Sequence, residues 1–102
     1  MKITMNPNEQ VVKAGESTLV SNGSPVKGKL ILTTQRIYFK AEPNGSEHED
    51  IEIYPRDIRD VVLFKDRVLF PQGLSIITNS DIENKFLIKK REVWSEMIAR
   101  MM

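Results

Sequence analysis

The sequence predicts a small, mainly β protein: a barrel of seven short antiparallel strands, capped by one C-terminal amphipathic α-helix. Short runs of alternating apolar and polar residues, separated by turn formers, extend from residue 17 to residue 88. No helical pattern separates these runs, which argues against a parallel βαβ arrangement. Only the last segment has helical periodicity, and a helix laid across one open end of the barrel would complete its core.

Seven runs have the composition and alternation of strands. They are Ser17–Ser21, Lys29–Thr33, Arg36–Lys40, Glu49–Tyr54, Ile58–Lys65, Leu74–Thr78 and Glu83–Ile88. Turn-forming residues separate them at 22–25, 42–46, 71–73 and 79–81. Between the fourth and fifth runs, Pro55–Asp57 suits one helical turn, because proline is tolerated at a first helical position.

The second and third runs indicate a β-hairpin, because only two polar residues, 34 and 35, separate them. In the third run Ile37 and Phe39 face the core. A strand has period two, so the residues between and beside them face outward: Arg36, Tyr38 and Lys40.

The C-terminal helix is predicted within residues 90–102, which contain neither glycine nor proline. Trp94, Met97, Ile98 and Met101 recur at i, i+3, i+4 and i+7 and therefore share one face. We expect Trp94 to be buried against the barrel, because one large ring covers much apolar surface.

Length and composition indicate a single domain, with a lead at 1–8 and the folded domain at 9–102. The net charge of +1 argues against a nucleic-acid binder, and the absence of cysteine excludes thiol catalysis and thiolate metal sites. No apolar run has the length of a transmembrane helix, and the N-terminus lacks a signal-peptide pattern. We therefore expect a cytoplasmic protein.

Charge is segregated along the chain. Residues 1–41 carry a net charge of +4, residues 42–66 a net charge of −5, and residues 67–102 a net charge of +2. Such segregation could produce a bipolar surface. Alternatively, distant segments become neighbours in the sheet and their charges interleave.

With this element order, the sequence resembles the GRAM domain family, in its bacterial stand-alone form. Lys27–Phe39 is similar to the family's G-x-L-x-L-T-x-x-R-hydrophobic-x-F hairpin, the most specific of the matching segments. The other segments follow in the family's order: Gly15–Glu16, Ile53–Ile58, Pro71–Ile76, Phe86 and Arg91–Trp94. The resemblance covers residues 9–101 and implies a pleckstrin-homology-like barrel. It also implies a binding module, since relatives bind phosphoinositides, other membrane lipids or proteins.

Two groups of cations are candidate sites for an anion or an anionic lipid. The first lies on the hairpin and the second where the final helix begins: Lys27, Lys29, Arg36 and Lys40, and then Lys89, Lys90 and Arg91. Such side chains offer charge-assisted hydrogen bonds to phosphate or carboxylate. The alternatives are a solvated strand face paired with Asp50 and Glu52, and a helix start whose cations are screened by solvent.

The segment Val68, Leu69 and Phe70 is a candidate interaction loop, because it is apolar and lies between the cations Lys65 and Arg67. It could insert into a membrane, contact a second copy, or bury itself against the barrel end.

These observations favour a non-catalytic binding module for an anionic lipid or a membrane surface, attached peripherally to that membrane. The alternative is a protein-interaction or self-assembly module that uses a barrel edge or the apolar loop and forms a homodimer. We expect no enzyme activity, because the sequence contains no nucleophile motif or phosphate-binding glycine-rich loop. We expect no cofactor and no metal, since His48 is the single histidine and no cysteine accompanies it.

Overall fold

The computed structural model describes residues 5–20, 25–42, 50–65 and 72–102. Within these ranges, seven antiparallel strands and one C-terminal helix confirm the predicted fold class. The strands are β1 (Val11–Leu19), β2 (Val26–Thr33), β3 (Ile37–Ala41), β4 (Ile51–Ile53), β5 (Ile58–Lys65), β6 (Gln72–Thr78) and β7 (Glu83–Leu87). One 3₁₀ turn, Pro55–Asp57, connects β4 to β5, and helix α1 spans Arg91–Met101.

The strands form one sheet in the order β4-β3-β2-β1-β7-β6-β5, so the first and last strands of the chain, β1 and β7, are neighbours at its centre. β1 pairs with β2 along most of its length but with β7 only through Thr18 and Leu19. The two halves of the sheet therefore separate beyond this short junction.

The core lies between the two halves of the sheet. Alternate residues of each strand point into it, as the period-two alternation predicts. Leu30, Leu74, Ile76 and Phe86 have no exposed surface. The rings of Phe39 and Phe86 meet in the centre, 5.5 Å apart, so each half of the sheet contributes an aromatic side chain to the same cluster.

Helix α1 covers the end of this core through the predicted face. Trp94 is 2% exposed and Ile98 is fully buried, which confirms the expectation for this tryptophan. The Trp94 ring approaches Gly15 of β1, and the Lys13 ammonium lies 5.6 Å from the ring centroid. A small residue on β1 thus makes room for the largest side chain of the helix.

The predicted turn at residues 71–73 is wrong for its last two residues. Gln72 and Gly73 belong to β6 and pair with Lys65 and Phe64 of β5. The glycine serves close packing instead of a turn, because a Cβ on Gly73 would lie 2.7 Å from the Phe64 ring. The first strand begins earlier than the predicted run Ser17–Ser21, since β1 starts at Val11.

Charges from distant segments interleave on the outer face of the sheet. The Lys40 ammonium lies 2.8 Å from the Asp50 carboxylate, and Arg36 forms an ion pair with Glu52. In both pairs a cation of the basic N-terminal segment meets an anion of the acidic central segment. The interleaved alternative therefore holds for these residues.

Candidate functional site

The candidate site is a groove of about 790 Å³ beside β1, which we call the β1 groove. Its cationic lining residues are Lys27, Lys89 and Lys90, which we call the groove lysines. These come from both groups of cations that the sequence singles out. The fold therefore joins the start of β2 and the start of α1 into one candidate site.

The register of β1 explains this convergence. Thr18 pairs with Lys27 of β2 on one side and with Leu87 of β7 on the other. Two residues after Leu87, the chain reaches Lys89 and Lys90 and turns into α1. A single β1 residue is thus the common neighbour of two segments that lie about 60 residues apart in the sequence.

The groove lysines are exposed and available to a ligand. Their ammonium groups form no ion pair or hydrogen bond with the residues that the structure describes. Lys90 has a left-handed backbone, with φ of 58°, immediately before the helix. A left-handed backbone is energetically unfavourable for any residue that has a Cβ atom. A lysine at this position therefore lowers the stability of the fold.

The groove is not uniformly basic. Glu16 and Glu42 also line it, so the formal charge of its five ionisable lining residues is +1. The Ser17 hydroxyl donates a 2.8 Å hydrogen bond to the Leu87 carbonyl and closes the floor where β1 and β7 separate. Sequence reasoning missed these residues, because nothing local in the sequence indicates which strands meet at β1.

Three of the four hairpin cations, Lys29, Lys40 and Arg36, do not line the groove. Lys29 is half-buried between Glu16 of β1 and Lys40 of β3, its register partners. Lys40 forms the ion pair with Asp50, and this hydrogen bond raises the pKa of the Lys40 ammonium. The solvated, paired strand face that the sequence left as an alternative therefore describes Lys40.

Arg36 corrects the expectation of an exposed outward cation. It lies on the outer face as predicted, but it is 5% exposed because the chain before β1 folds over it. Its Nε donates to Glu9 Oε2 at 2.8 Å, Glu52 pairs with its other side, and Thr33 donates to Glu9 at 2.5 Å. Buried and held by two carboxylates, Arg36 is a structural ion-pair residue.

Arg91 also has a partner within the domain. Its guanidinium donates a hydrogen bond to the Phe64 carbonyl and only 18% of its side chain is exposed. This bond ties the start of α1 to the end of β5. Of the seven candidate cations, the groove lysines are those that share one concave surface, so they carry the functional proposal.

The remaining candidate, the loop Val68, Leu69 and Phe70, lies outside the described residues. Among the residues described, no group of three or more histidine, cysteine, aspartate or glutamate side chains is arranged to hold a metal ion. The described part of the chain also contains no helix of the length and hydropathy that crossing a membrane requires.

Solved structures share this fold at low sequence identity. The C-terminal domain of an unknown protein from Leishmania infantum has a TM-score of 0.76 and 14% identity, covering 93% of this chain and 86% of that one. The Vps36 N-terminal PH domain has a TM-score of 0.73 and 15% identity, covering 96% and 82%. The hSac2 domain from human phosphoinositide phosphatase Sac2 has a TM-score of 0.66 and 9% identity, covering 95% and 70%.

These similarities show a pleckstrin-homology-like fold. The family model of the GRAM domain matches residues 1–102, and the chain therefore belongs to the GRAM domain family. No curated protein sequence matches the chain. The family match and the structural neighbours together confirm the resemblance drawn from the hairpin and the turns that follow it.

Proposed function

We propose that this domain is a non-catalytic binding module that attaches to an anionic membrane surface through the β1 groove. GRAM and pleckstrin-homology-like folds are typically lipid- or protein-binding modules. The observation that carries the proposal is the convergence of the groove lysines on one concave surface, without ion-pair partners in the described structure. Ammonium groups that line one groove can donate charge-assisted hydrogen bonds to the phosphate of a lipid headgroup.

The groove charge determines the strength and character of the expected binding. A lysine near an anionic bilayer contributes about 1 kcal/mol, and this attraction falls off within a Debye length. Glu16 and Glu42 offset part of the attraction of the groove lysines. We therefore expect weak binding that decreases steeply with salt, and no preference for headgroups that carry many phosphates.

Co-sedimentation with vesicles tests the proposal. The probes are vesicles of phosphatidylcholine alone and vesicles that also contain phosphatidylserine, each at low and high salt. The site variant is Lys27→Gln/Lys89→Gln/Lys90→Gln. The matched control removes three exposed arginines outside the groove: Arg56→Gln/Arg59→Gln/Arg100→Gln.

The wild-type protein and the control variant should sediment with the anionic vesicles at low salt and be released at high salt. The site variant should remain in the supernatant with both kinds of vesicle, while its thermal unfolding midpoint stays near that of the wild type. The proposal is wrong if the wild-type protein does not sediment with anionic vesicles. It is also wrong if the site and control variants lose binding equally, because that result would reflect net charge instead of the groove.

A further inference from the structure

Strand β5 is an edge of the sheet that exposes apolar side chains on both faces. Among the strands that the structure describes, β5 pairs only with β6. Val62, which faces outward, is 43% exposed, and Leu63, which faces the opposite way, is 39% exposed. The described residues therefore leave the middle of this strand uncovered.

This composition is unusual for an edge. Strands that are apolar on both faces are typical of sheet interiors, where neighbours cover both sides. Edge strands of stable monomers are instead short, charged, bulged or covered, because unpaired backbone groups invite another strand. β5 has eight residues, and its register with β6 is irregular between Ile58 and Asp60. Its apolar part, Val61–Phe64, is regularly paired with β6 and contains no charge or proline.

The charges at the two ends of β5 indicate which strand would fit. The start of the strand and the turn before it are acidic: Asp60 and Asp57 are exposed there, and Arg59 forms an ion pair with Asp81. The end of the strand is basic, with Lys65 exposed. Such a strand is complementary to itself in the antiparallel direction, because each acidic end then faces a basic end.

We propose that two copies of this chain associate through β5, pairing antiparallel about a twofold axis and joining two seven-stranded sheets into one. The Phe64 carbonyl already accepts a hydrogen bond from Arg91, so the pairing is centred before that residue, on Val61. A twofold axis at Val61 places Lys65 of one copy opposite Asp57 of the other. This surface is separate from the β1 groove, and the inference is independent of the membrane proposal.

The first test measures the mass of the protein in solution by sedimentation equilibrium over a range of concentrations. We expect the wild-type mass to rise from one chain to two and to stop there, since a twofold interface is closed. Val62→Lys places a charge at the centre of the edge and should abolish this rise. Val12→Lys changes an exposed valine on β1 and should leave it unchanged.

A charge swap tests the orientation. Asp57→Lys and Lys65→Glu should each weaken the dimer, because each places like charges opposite one another at the two ends of the interface. The double variant Asp57→Lys/Lys65→Glu restores the complementarity and should restore the dimer. Both residues are exposed, so thermal unfolding of dilute protein should show that the variants fold.

A wild-type protein that stays monomeric at all concentrations would overturn the proposal. So would a dimer that Val62→Lys leaves intact, which would assign the interface to another surface. If the double variant dimerises no more strongly than the single variants, the antiparallel arrangement is refuted. Mass that rises beyond two chains would indicate open-ended association instead of a twofold pair, and would also overturn it.

Discussion

Arg36 and Glu9 form the most buried ion pair among the described residues. The Glu9 side chain has no exposed surface and that of Arg36 is 6% exposed. Asn6, Thr33 and Arg36 all donate hydrogen bonds to the Glu9 carboxylate. Such a pair requires full satisfaction of its polar groups, because a buried charge without partners is strongly destabilising. The pair therefore joins the segment before β1 to the β2–β3 hairpin.

Stability should fall at acidic pH through Glu9. The hydrogen bond from Arg36 is the largest cause that lowers the Glu9 pKa, from 4.5 to about 2. Because the folded state holds the proton less tightly than the unfolded state, the stabilisation is complete above about pH 4.5 and decreases as pH falls toward 2. Urea unfolding should show this decrease, and Glu9→Gln should remove most of it. Parallel pH profiles for the two proteins would contradict the assignment.

Lys90 should lower the free energy of unfolding of the domain. A left-handed backbone conformation is unfavourable by about 1 kcal/mol for a residue that has a Cβ atom, and glycine avoids this penalty. Because φ of Lys90 is 58° and its side chain makes no capping bond, Lys90→Gly should raise the free energy of unfolding by about 1 kcal/mol. The same variant should bind anionic vesicles less well. Greater stability with unchanged vesicle binding would remove Lys90 from the proposed site.

Strand β6 depends on a glycine for its packing between β5 and β7. The Phe64 ring lies over Gly73, where a Cβ would come within 2.7 Å of the ring and still closer to the backbone of β7. The strand element therefore has a position that only glycine can occupy without displacement of its neighbours.

Gly73→Ala should destabilise the protein by about 1–3 kcal/mol, the usual cost of an overpacked site. Gly15→Ala is the matched control, because its Cβ would lie 3.4 Å from the Trp94 ring, an ordinary contact distance. Chemical denaturation of both variants measures the difference. Equal losses of stability in the two variants would show that both the Phe64 ring and the β7 backbone at Phe86 move aside readily.

At the scale of the whole molecule, the two halves of the sheet are held together by a short junction and a shared cover. β1 and β7 contribute two register pairs, with Ser17 bonded to the Leu87 carbonyl beside them. Helix α1 then packs against β5 and β6, and its Trp94 ring reaches β1. Loss of the helix contact should therefore affect both halves together.

Trp94→Ala should cost about 3–5 kcal/mol, as large-to-small changes in a core do. Total stability for a domain of this size is about 5–15 kcal/mol, so the variant should lie near its unfolding threshold. Circular dichroism melting is the measurement, and Val93→Ala, at an exposed neighbouring position, is the control. A small loss of stability for Trp94→Ala would mean that the core is stable without the contact from the helix.

The sequence by itself determined the element order, the inward faces of the hairpin and the burial of Trp94. These follow from local periodicity, since the pattern of apolar residues in one segment decides which side of that segment is buried. The family resemblance came from the same local segments, above all Lys27–Phe39, and the family match confirms it.

Only the tertiary structure decided which charged residues meet. Strand order and register decide that Lys27 and Lys89 line one groove, that Arg36 is buried against Glu9, and that Arg91 bonds to the Phe64 carbonyl. Contacts between residues about 60 positions apart have no local signature, because the sheet order that creates them is set by packing of the whole core. The candidate site is therefore a property of the fold, whereas its individual cations are visible in the sequence.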